Sequence, residues 1–494
     1  MSETHRDLAR SATGIAGLDL ILEGGLPEGG VYIVQGPPGA GKTILANHVC
    51  FNHAAAGNRA LYVTVLAESH ARMFAHLRRM QFFDAAAVPD RVYYVGAFSV
   101  LEEGGLGALT TLIRTEVQRR SATLLVVDDL QSARESAASD RDFNKFIHGL
   151  QLIAASVGCV VVLLTNAVRQ VGHCPEHTMV DGVLHLTDEL SHLRPLRYVQ
   201  VLKLRGTAPL RGLHSVTISD RGFEVRPRIE TRFGVAPFRE DAVASGARCA
   251  FGIAELDAML HGGVRAGSLT MLVGSSGSGK SLLGLQFLAE GLRLGERVVH
   301  FGFYERPDAL VAKCERIGNN WIRKGLEAGS AELLWRRPVE GIIDELGESL
   351  FAAVRRNQAT RLVIDGMNGF EIAADLKERM SDVYAAIAQE LEALHVTTVY
   401  TVEMRALYGP RIEVPINGMS AATQNIVLLR HVEHRAQLLR ALAILKVRDS
   451  DYDPRVREIR FTDDGIVLRD TFENEAQLIA GGGLLDAAGG NPAL

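Results

Sequence analysis

Cysteine is scarce and scattered in this chain: Cys50, Cys159, Cys174, Cys249 and Cys314 are the only five in 494 residues. None stands in CxxC spacing, which is the pattern of reduced thiols and excludes both a disulfide framework and a cysteine-built zinc site. Long apolar runs are missing as well. No stretch reaches the ~18 consecutive apolar residues that a membrane span needs, and the opening MSETHRDLARSATG is polar, without the apolar centre of a signal peptide. The sequence therefore reads as a soluble cytoplasmic protein. An excess of positive charge is the third absence. Lys and Arg number 53 against 58 Asp and Glu, a formal net charge of −5, so no global field draws in nucleic acid and only a local basic channel would serve. What is present is an ordinary globular mixture, 47% hydrophobic and 22% charged, in a chain too long for one core; about two to four domains are expected.

An internal repeat organises them. The run TGIAGLDLILEGGLPEGG from Thr13 returns as FGIAELDAMLHGGVRAGS from Phe251, 238 positions later. The glycine-rich loops GPPGAGKT (36–43) and GSSGSGKS (274–281) keep the same offset, and LLVVDD and RLVIDG, then KLRG and KVRD, follow with small drifts. Within the first copy, β-branched runs at 31–35, 61–65, 124–127 and 160–165 alternate with helical patterns, as parallel βαβ units do when their central strands are buried on both faces. Closely spaced strands at 198–204 and 215–219 then predict an antiparallel extension of the sheet. The expected division is a first domain over 1–235, a linker over 236–248, a second domain over 249–475 and a flexible tail over 476–494.

Each glycine-rich run fits GxxxxGK[ST] between a strand and a helix, where glycines let successive backbone N–H groups face phosphate and the helix N-terminus adds positive potential. The first copy supplies Gly36, Gly39, Ala40, Gly41, Lys42 and Thr43; the second supplies Gly274, Gly277, Ser278, Gly279, Lys280 and Ser281. Lys42 and Lys280 are expected on the β and γ phosphates of ATP, and the Thr43 and Ser281 hydroxyls on Mg2+. Asp128 and Asp365 end apolar strands 86 and 85 residues after those lysines, the position of a Walker B carboxylate in a RecA-like core; an aspartate at a strand end also serves as a simple cap. Glu68 and Glu305 follow the next strand, where a carboxylate orients the attacking water, and a solvated surface glutamate is the plainer reading. Lys203 with Arg205, and Lys446 with Arg448, each put two cations on one face of a strand. They suit charge neutralisation at a γ phosphate, or equally the blunting of an exposed sheet edge. His173, Cys174 and His177 share a loop without the further ligands that a metal site requires.

With these motifs in order over nearly the whole chain, the sequence resembles the KaiC family, tandem RecA-like ATPases typified by a circadian clock protein. The resemblance rests on the TGIAGLD and FGIAELD entries, both Walker A loops, both Walker B strands, VLKLRGT from Val201 and the stretch SAATQNIVLLRHVEHRAQLLRALAILKVR from Ser420. It implies an α/β fold of two tandem RecA-like P-loop NTPase domains, a homohexamer with ATP at subunit interfaces, and Lys203, Arg205, Lys446 and Arg448 acting in trans on a neighbour's nucleotide. It also implies ATP hydrolysis, with serine/threonine autophosphorylation in the second domain. The family's adjacent Ser-Thr phosphoacceptor pair falls on Ser420-Ala421, so the serine is kept and the threonine is not.

The family's paired acidic residues appear as Ala67-Glu68 and Glu305-Arg306, one carboxylate at each site, with Arg306 set to attenuate Glu305 by pairing. Asp449, Asp451 and Asp453 follow the second cationic pair and are expected to compete for Arg448, making the two halves unequal. KaiA-like partners on the tail and KaiB-like partners on the first domain are further implications. The alternative is a DNA-dependent RecA/RadA-like ATPase of recombination or repair, whose mark is basic, aromatic-interleaved loops. The candidate loops are 131–142, 168–178 and 405–419, and only the last is appreciably basic.

Overall fold

The computed structural model describes residues 9–65, 70–166, 175–191, 194–233, 246–338, 342–374, 376–404, 422–434, 437–448 and 450–470. The chain divides into two compact units, Met1–Thr231 and Arg232–Leu494. Glu68, His173, Cys174, Ser420, Asp449 and the tail lie outside the described residues.

In the first unit, strands β1 (Val31–Gly36), β2 (Ala60–Thr64), β3 (Val92–Gly96), β4 (Leu124–Asp128) and β5 (Val160–Asn166) run parallel, with helix α1 (Lys42–Ala55) following β1. Four more, β6 (Gly182–Ser191), β7 (Arg194–Leu204), β8 (His214–Ser219) and β9 (Gly222–Arg226), continue the sheet as an antiparallel meander from β6 onward. The order across the nine strands is β9-β8-β7-β6-β1-β5-β4-β2-β3. Strand β1 is central because VYIVQG is apolar on both sides: Tyr32 and Val34 join one core layer with Leu45 and Val49 of α1. Val31 and Ile33 join the opposite layer, with Phe146 and Leu150. That two-sided burial is why these strands read as unbroken apolar runs.

The second unit repeats the plan. Its strands are β10 (Leu269–Gly274), β11 (Val298–Gly302), β12 (Ala331–Trp335), β13 (Arg361–Asp365), β14 (Thr397–Glu403), β15 (Asn425–His434), β16 (Gln437–Val447), β17 (Arg457–Thr462) and β18 (Gly465–Arg469). Their order, β12-β11-β13-β14-β10-β15-β16-β17-β18, is that of the first sheet strand for strand. Helix α2 (Lys280–Arg293) follows β10 as α1 follows β1, and α3 (Pro307–Arg316) follows β11. The expected fold, two RecA-like domains each with an antiparallel extension, is the observed one.

One buried cation holds the second unit's entry in place. Arg361, 1% exposed, forks onto Glu296 at 2.8 and 2.9 Å and donates to the carbonyls of Ala250 (2.6 Å) and Phe287 (3.0 Å). Its guanidinium also lies 4.6 Å from the centroid of the Phe287 ring. Removing the carboxylate strands a buried charge, a loss of about 3–5 kcal/mol for such pairs. Glu296 keeps a side-chain exposure of 26%, so the lower end applies. Glu296→Ala is expected to lower the Tm of this domain by roughly 6–12 °C. Glu296→Gln, which keeps an acceptor, should lose clearly less; calorimetry that finds the two variants equal would refute the pairing argument.

Candidate functional site

The loop after β1 and its counterpart after β10 each turn through two glycines at positive φ and deliver a 14-residue helix. No side chain caps either helix at Gly41 or Gly279, so the first-turn N–H groups are available to an anion. Gly41 (φ +96°) and Gly279 (φ +103°) lie in the left-handed region that favours glycine, and a Cβ there would stand 2.5 Å from Ile218 Cδ1 and 2.1 Å from Phe461 Cζ, so either side chain would have to shift. Each loop thus rests directly on the terminal hairpin of its own sheet.

Both lysines arch back over the loop that precedes them. Lys42 Nζ donates to the carbonyls of Gly36 (2.7 Å) and Pro37 (3.1 Å) and to Asn166 Oδ1 (3.1 Å). Lys280 Nζ donates to Gly274 O (2.9 Å) and Ser275 O (2.7 Å). Burial lowers the pKa of both amines, against the pull of Asp128 and Asp129 on Lys42 and of Glu403 and Asp365 on Lys280.

Strand register brings the carboxylates to the loop hydroxyls. Asp128 Oδ2 stands 3.5 Å from Thr43 Oγ1 and accepts a 2.6 Å bond from the Tyr62 hydroxyl. Asp365 Oδ1 accepts from Ser281 Oγ (3.1 Å) and Thr401 Oγ1 (2.7 Å), and its other oxygen lies 3.9 Å from Nε2 of the buried His300. Burial raises the pKa of Asp128 and opposes ionisation of Asp365, but at Asp365 the neighbouring His300, Thr401 and Ser281 outweigh it and the net direction is downward. Asp129 is used otherwise, as the cap that accepts from Gln131 N at 3.0 Å. The donor set of hydroxyl and carboxylate oxygen is that of a hard cation. Among the described residues no three His, Cys, Asp or Glu side chains converge on a metal position. The chain accordingly fits an ion that takes most of its ligands from phosphate and water, as Mg2+ does.

The cationic pairs are elsewhere. Lys203 faces Val183 at the start of β6, and Arg205 N bonds to Asp181 O, whose carboxylate accepts from Val31 N. They sit toward the end of β1 away from the loop: Arg205 is level with Val31, five residues or about 16 Å of strand from Gly36, and Lys203 with Ile33, three residues or about 10 Å from it. Lys203 Nζ donates to the carbonyls of His177 (2.7 Å), Thr178 (3.3 Å) and Val180 (2.7 Å), and Arg205 shares Thr178 O at 2.9 Å. Lys446 repeats the arrangement, donating to Thr423 O at 2.8 Å, and Arg448 N bonds to Gln424 O at 3.1 Å. Neither pair faces the phosphate loop of its own domain.

Two expectations are corrected. Arg306 does not pair with Glu305: Lys313, one face of α3 further on, takes both carboxylate oxygens. Arg306, at the start of α3, turns instead to the sheet edge, 5.2 Å from the Trp335 ring centroid. Asp453 does not compete for Arg448 either, since Arg455 and Arg457 occupy it at 2.8 and 3.2 Å and hold its pKa far below the carboxylate range. Sequence reasoning missed Tyr62, Asn166, His300, Thr401 and Glu403, whose one available signal was their position within or at the end of strands neighbouring a motif strand. Of the loops considered for DNA, 131–142 is largely helical, and its Arg134 is tied to Glu176 at 2.7 Å.

Two RecA-like domains in series, each with an uncapped phosphate loop, an arched lysine and a hydroxyl facing a strand-end carboxylate, define a tandem P-loop ATPase. The ATPase family described as KaiC matches residues 11–230 and 249–472, and the chain belongs to that family. Among curated relatives named circadian clock oscillator protein KaiC, that of Picosynechococcus sp. is 25% identical over 490 residues, 94% of this chain and 91% of the relative. Those of Rippkaea orientalis and Synechococcus elongatus are 25% and 24% identical, each over 97% of this chain and 92% of the relative. Among the described residues no helix is long and apolar enough to cross a membrane.

Proposed function

We propose that this KaiC-family ATPase works as a homohexameric, ATP-driven switch, hydrolysing ATP at two sites per chain and autophosphorylating on Ser420 in its second domain. The observation that carries the reading is the separation of Lys203, Arg205, Lys446 and Arg448 from the phosphate loops of their own domains. A site that needs those cations is complete only when a neighbouring copy supplies them, which puts ATP at a subunit interface. In this scheme Lys42 and Lys280 bind and orient the β and γ phosphates, and Thr43 with Asp128, and Ser281 with Asp365, hold Mg2+. When bound, the ion neutralises charge on the β and γ oxygens. Cations from the neighbour stabilise charge that develops as the γ phosphoryl group leaves ADP for water or for a serine hydroxyl. Glu68 and Glu305 are the carboxylates proposed to orient the nucleophile. The curated relatives' names, circadian clock oscillator protein, support a timing role; KaiA-like and KaiB-like proteins are the proposed partner classes and the cytoplasm the proposed location. DNA-dependent work has no comparable support.

Incubation with γ-labelled ATP and Mg2+, with and without single-stranded DNA, tests this reading. Free phosphate and label on Ser420, both indifferent to DNA, are the expected result. Free phosphate that rises severalfold with DNA, with no bound label, would overturn it in favour of a nucleic-acid motor.

A further inference from the structure

Asp365 and Asp128 have different partners, although the strands that carry them agree in order and register. In the first domain Tyr62 is level with Val126 and Thr64 with Asp128, and the Tyr62 hydroxyl donates to Asp128 Oδ2 at 2.6 Å. The same two places in the second domain hold His300, level with Val363, and Gly302, level with Asp365. Here the two carboxylate oxygens face different neighbours. Oδ1 accepts from Ser281 Oγ at 3.1 Å and from Thr401 Oγ1 at 2.7 Å, while Oδ2 faces His300 Nε2 at 3.9 Å.

His300 is 1% exposed, and neither ring nitrogen has a hydrogen-bond partner among the described residues, a state that buried polar groups rarely keep. Asp365 Oδ2 stands about 1 Å beyond an N–H···O bond from Nε2. The ring fills the space that a side chain at position 302 would need, since a Cβ there would stand 2.7 Å from His300 Cε1. Gly302 does not have the positive φ that favours glycine, so what it supplies is room. We infer that His300 is a positioning residue for the second site, whose Nε2–H holds Oδ2 of Asp365 so that Oδ1 is presented to Ser281 and to a metal ion there. The terminal torsion of an aspartate is broad, and Ser281 and Thr401, both on Oδ1, leave the carboxylate free to turn about that oxygen. A donor on the other oxygen sets its plane. Both the neutral Nε2–H tautomer and the doubly protonated ring carry that donor, so the role does not depend on the charge of the imidazole.

This inference rests on the proposal that Asp365 and Ser281 hold Mg2+, and the test separates the two. Full-length protein carrying Lys42→Ala, so that nucleotide is read at the second site, is titrated with Mg2+ while bound fluorescent ATP analogue is measured; thermal unfolding without Mg2+ is followed alongside. His300→Phe, which keeps a ring but no donor, should raise the Mg2+ concentration for half-maximal binding by about 10–100-fold. His300→Gln, whose amide offers a donor at similar reach, should stay within about threefold of the parent. Gly302→Ala, which crowds the imidazole without removing it, should move in the same direction as His300→Phe. A purely structural role would change the Tm and leave the Mg2+ dependence where it was. The inference falls if His300→Phe keeps the parent's Mg2+ dependence or needs less Mg2+, if His300→Gln is as impaired as His300→Phe, or, where His300→Phe does not fold, if Gly302→Ala keeps the parent's dependence. Binding indifferent to Mg2+ in the Lys42→Ala parent itself removes the metal-ligand reading and the inference together.

Discussion

Two variants that are each inactive at the first site, Lys203→Ala/Arg205→Ala and Lys42→Ala, are expected to recover ATP turnover when assembled together. Both are built in the Lys280→Ala background so that only first-domain chemistry is read. The cations lie toward the end of β1 opposite the loop, with Lys203 on the carbonyls of His177, Thr178 and Val180 and Arg205 beside Asp181. Held on those carbonyls, and three and five strand residues from Gly36, they do not reach their own loop and are expected to serve one on another copy. Loss of such cations costs ~10³–10⁵ in rate at the site they serve. In a random equal mixture of a head-to-tail ring, roughly a quarter of the interfaces join an intact lysine to an intact cationic pair, and activity should return to about that fraction of the parent. Mixed rings verified by native mass spectrometry but still inactive would refute action in trans. An undiminished Lys203→Ala/Arg205→Ala protein on its own would reduce the pair to a structural clasp on the segment 177–181.

The second large effect is at the lysines themselves. Lys42→Ala and Lys280→Ala should each weaken nucleotide binding at the altered site by at least ~10²-fold, since charge-assisted hydrogen bonds of about 1.5–3 kcal/mol each are lost there. The structure adds a reason beyond lost charge. Lys280 Nζ ties together the carbonyls of Gly274 and Ser275, and Lys42 those of Gly36 and Pro37, so alanine also releases the curvature of the loop. Equilibrium binding of a fluorescent ATP analogue should show one nucleotide per chain for each single variant and none for the double variant. Retention of two by either single variant would contradict the assignment of that loop.

The architecture was readable from residues because both signals that define it are local. Apolar runs such as VYIVQG and LLVVD are buried on both faces of a parallel sheet, and the glycine-lysine loops punctuate strand and helix at one fixed offset. The antiparallel extension was legible for the same reason, through turn residues at 220–222. What stayed hidden depends on which strands become neighbours. Tyr62 meets Asp128 only because β2 lies beside β4, skipping β3, and Thr401 meets Asp365 only because β14 pairs with β13 across the helices that separate them in the chain. The partner of Glu305 was misjudged because Arg306 is adjacent in sequence, whereas the turn of α3 brings Lys313 closer. Asp453 was misread as a competitor because the two arginines that bind it come after it in the chain.

The tight seat of each phosphate loop on its terminal hairpin has a mechanical corollary. A methyl group at Gly41 would meet Ile218 and Phe223, and one at Gly279 would meet Phe461, so each loop is in close contact with those side chains. They belong to the hairpins that close each sheet: Ile218 and Phe223 to His214–Ser219 and Gly222–Arg226, and Phe461 to Arg457–Thr462, which pairs with Gly465–Arg469. A change of loop shape that pushed on those side chains would be passed first to the hairpin that closes each sheet.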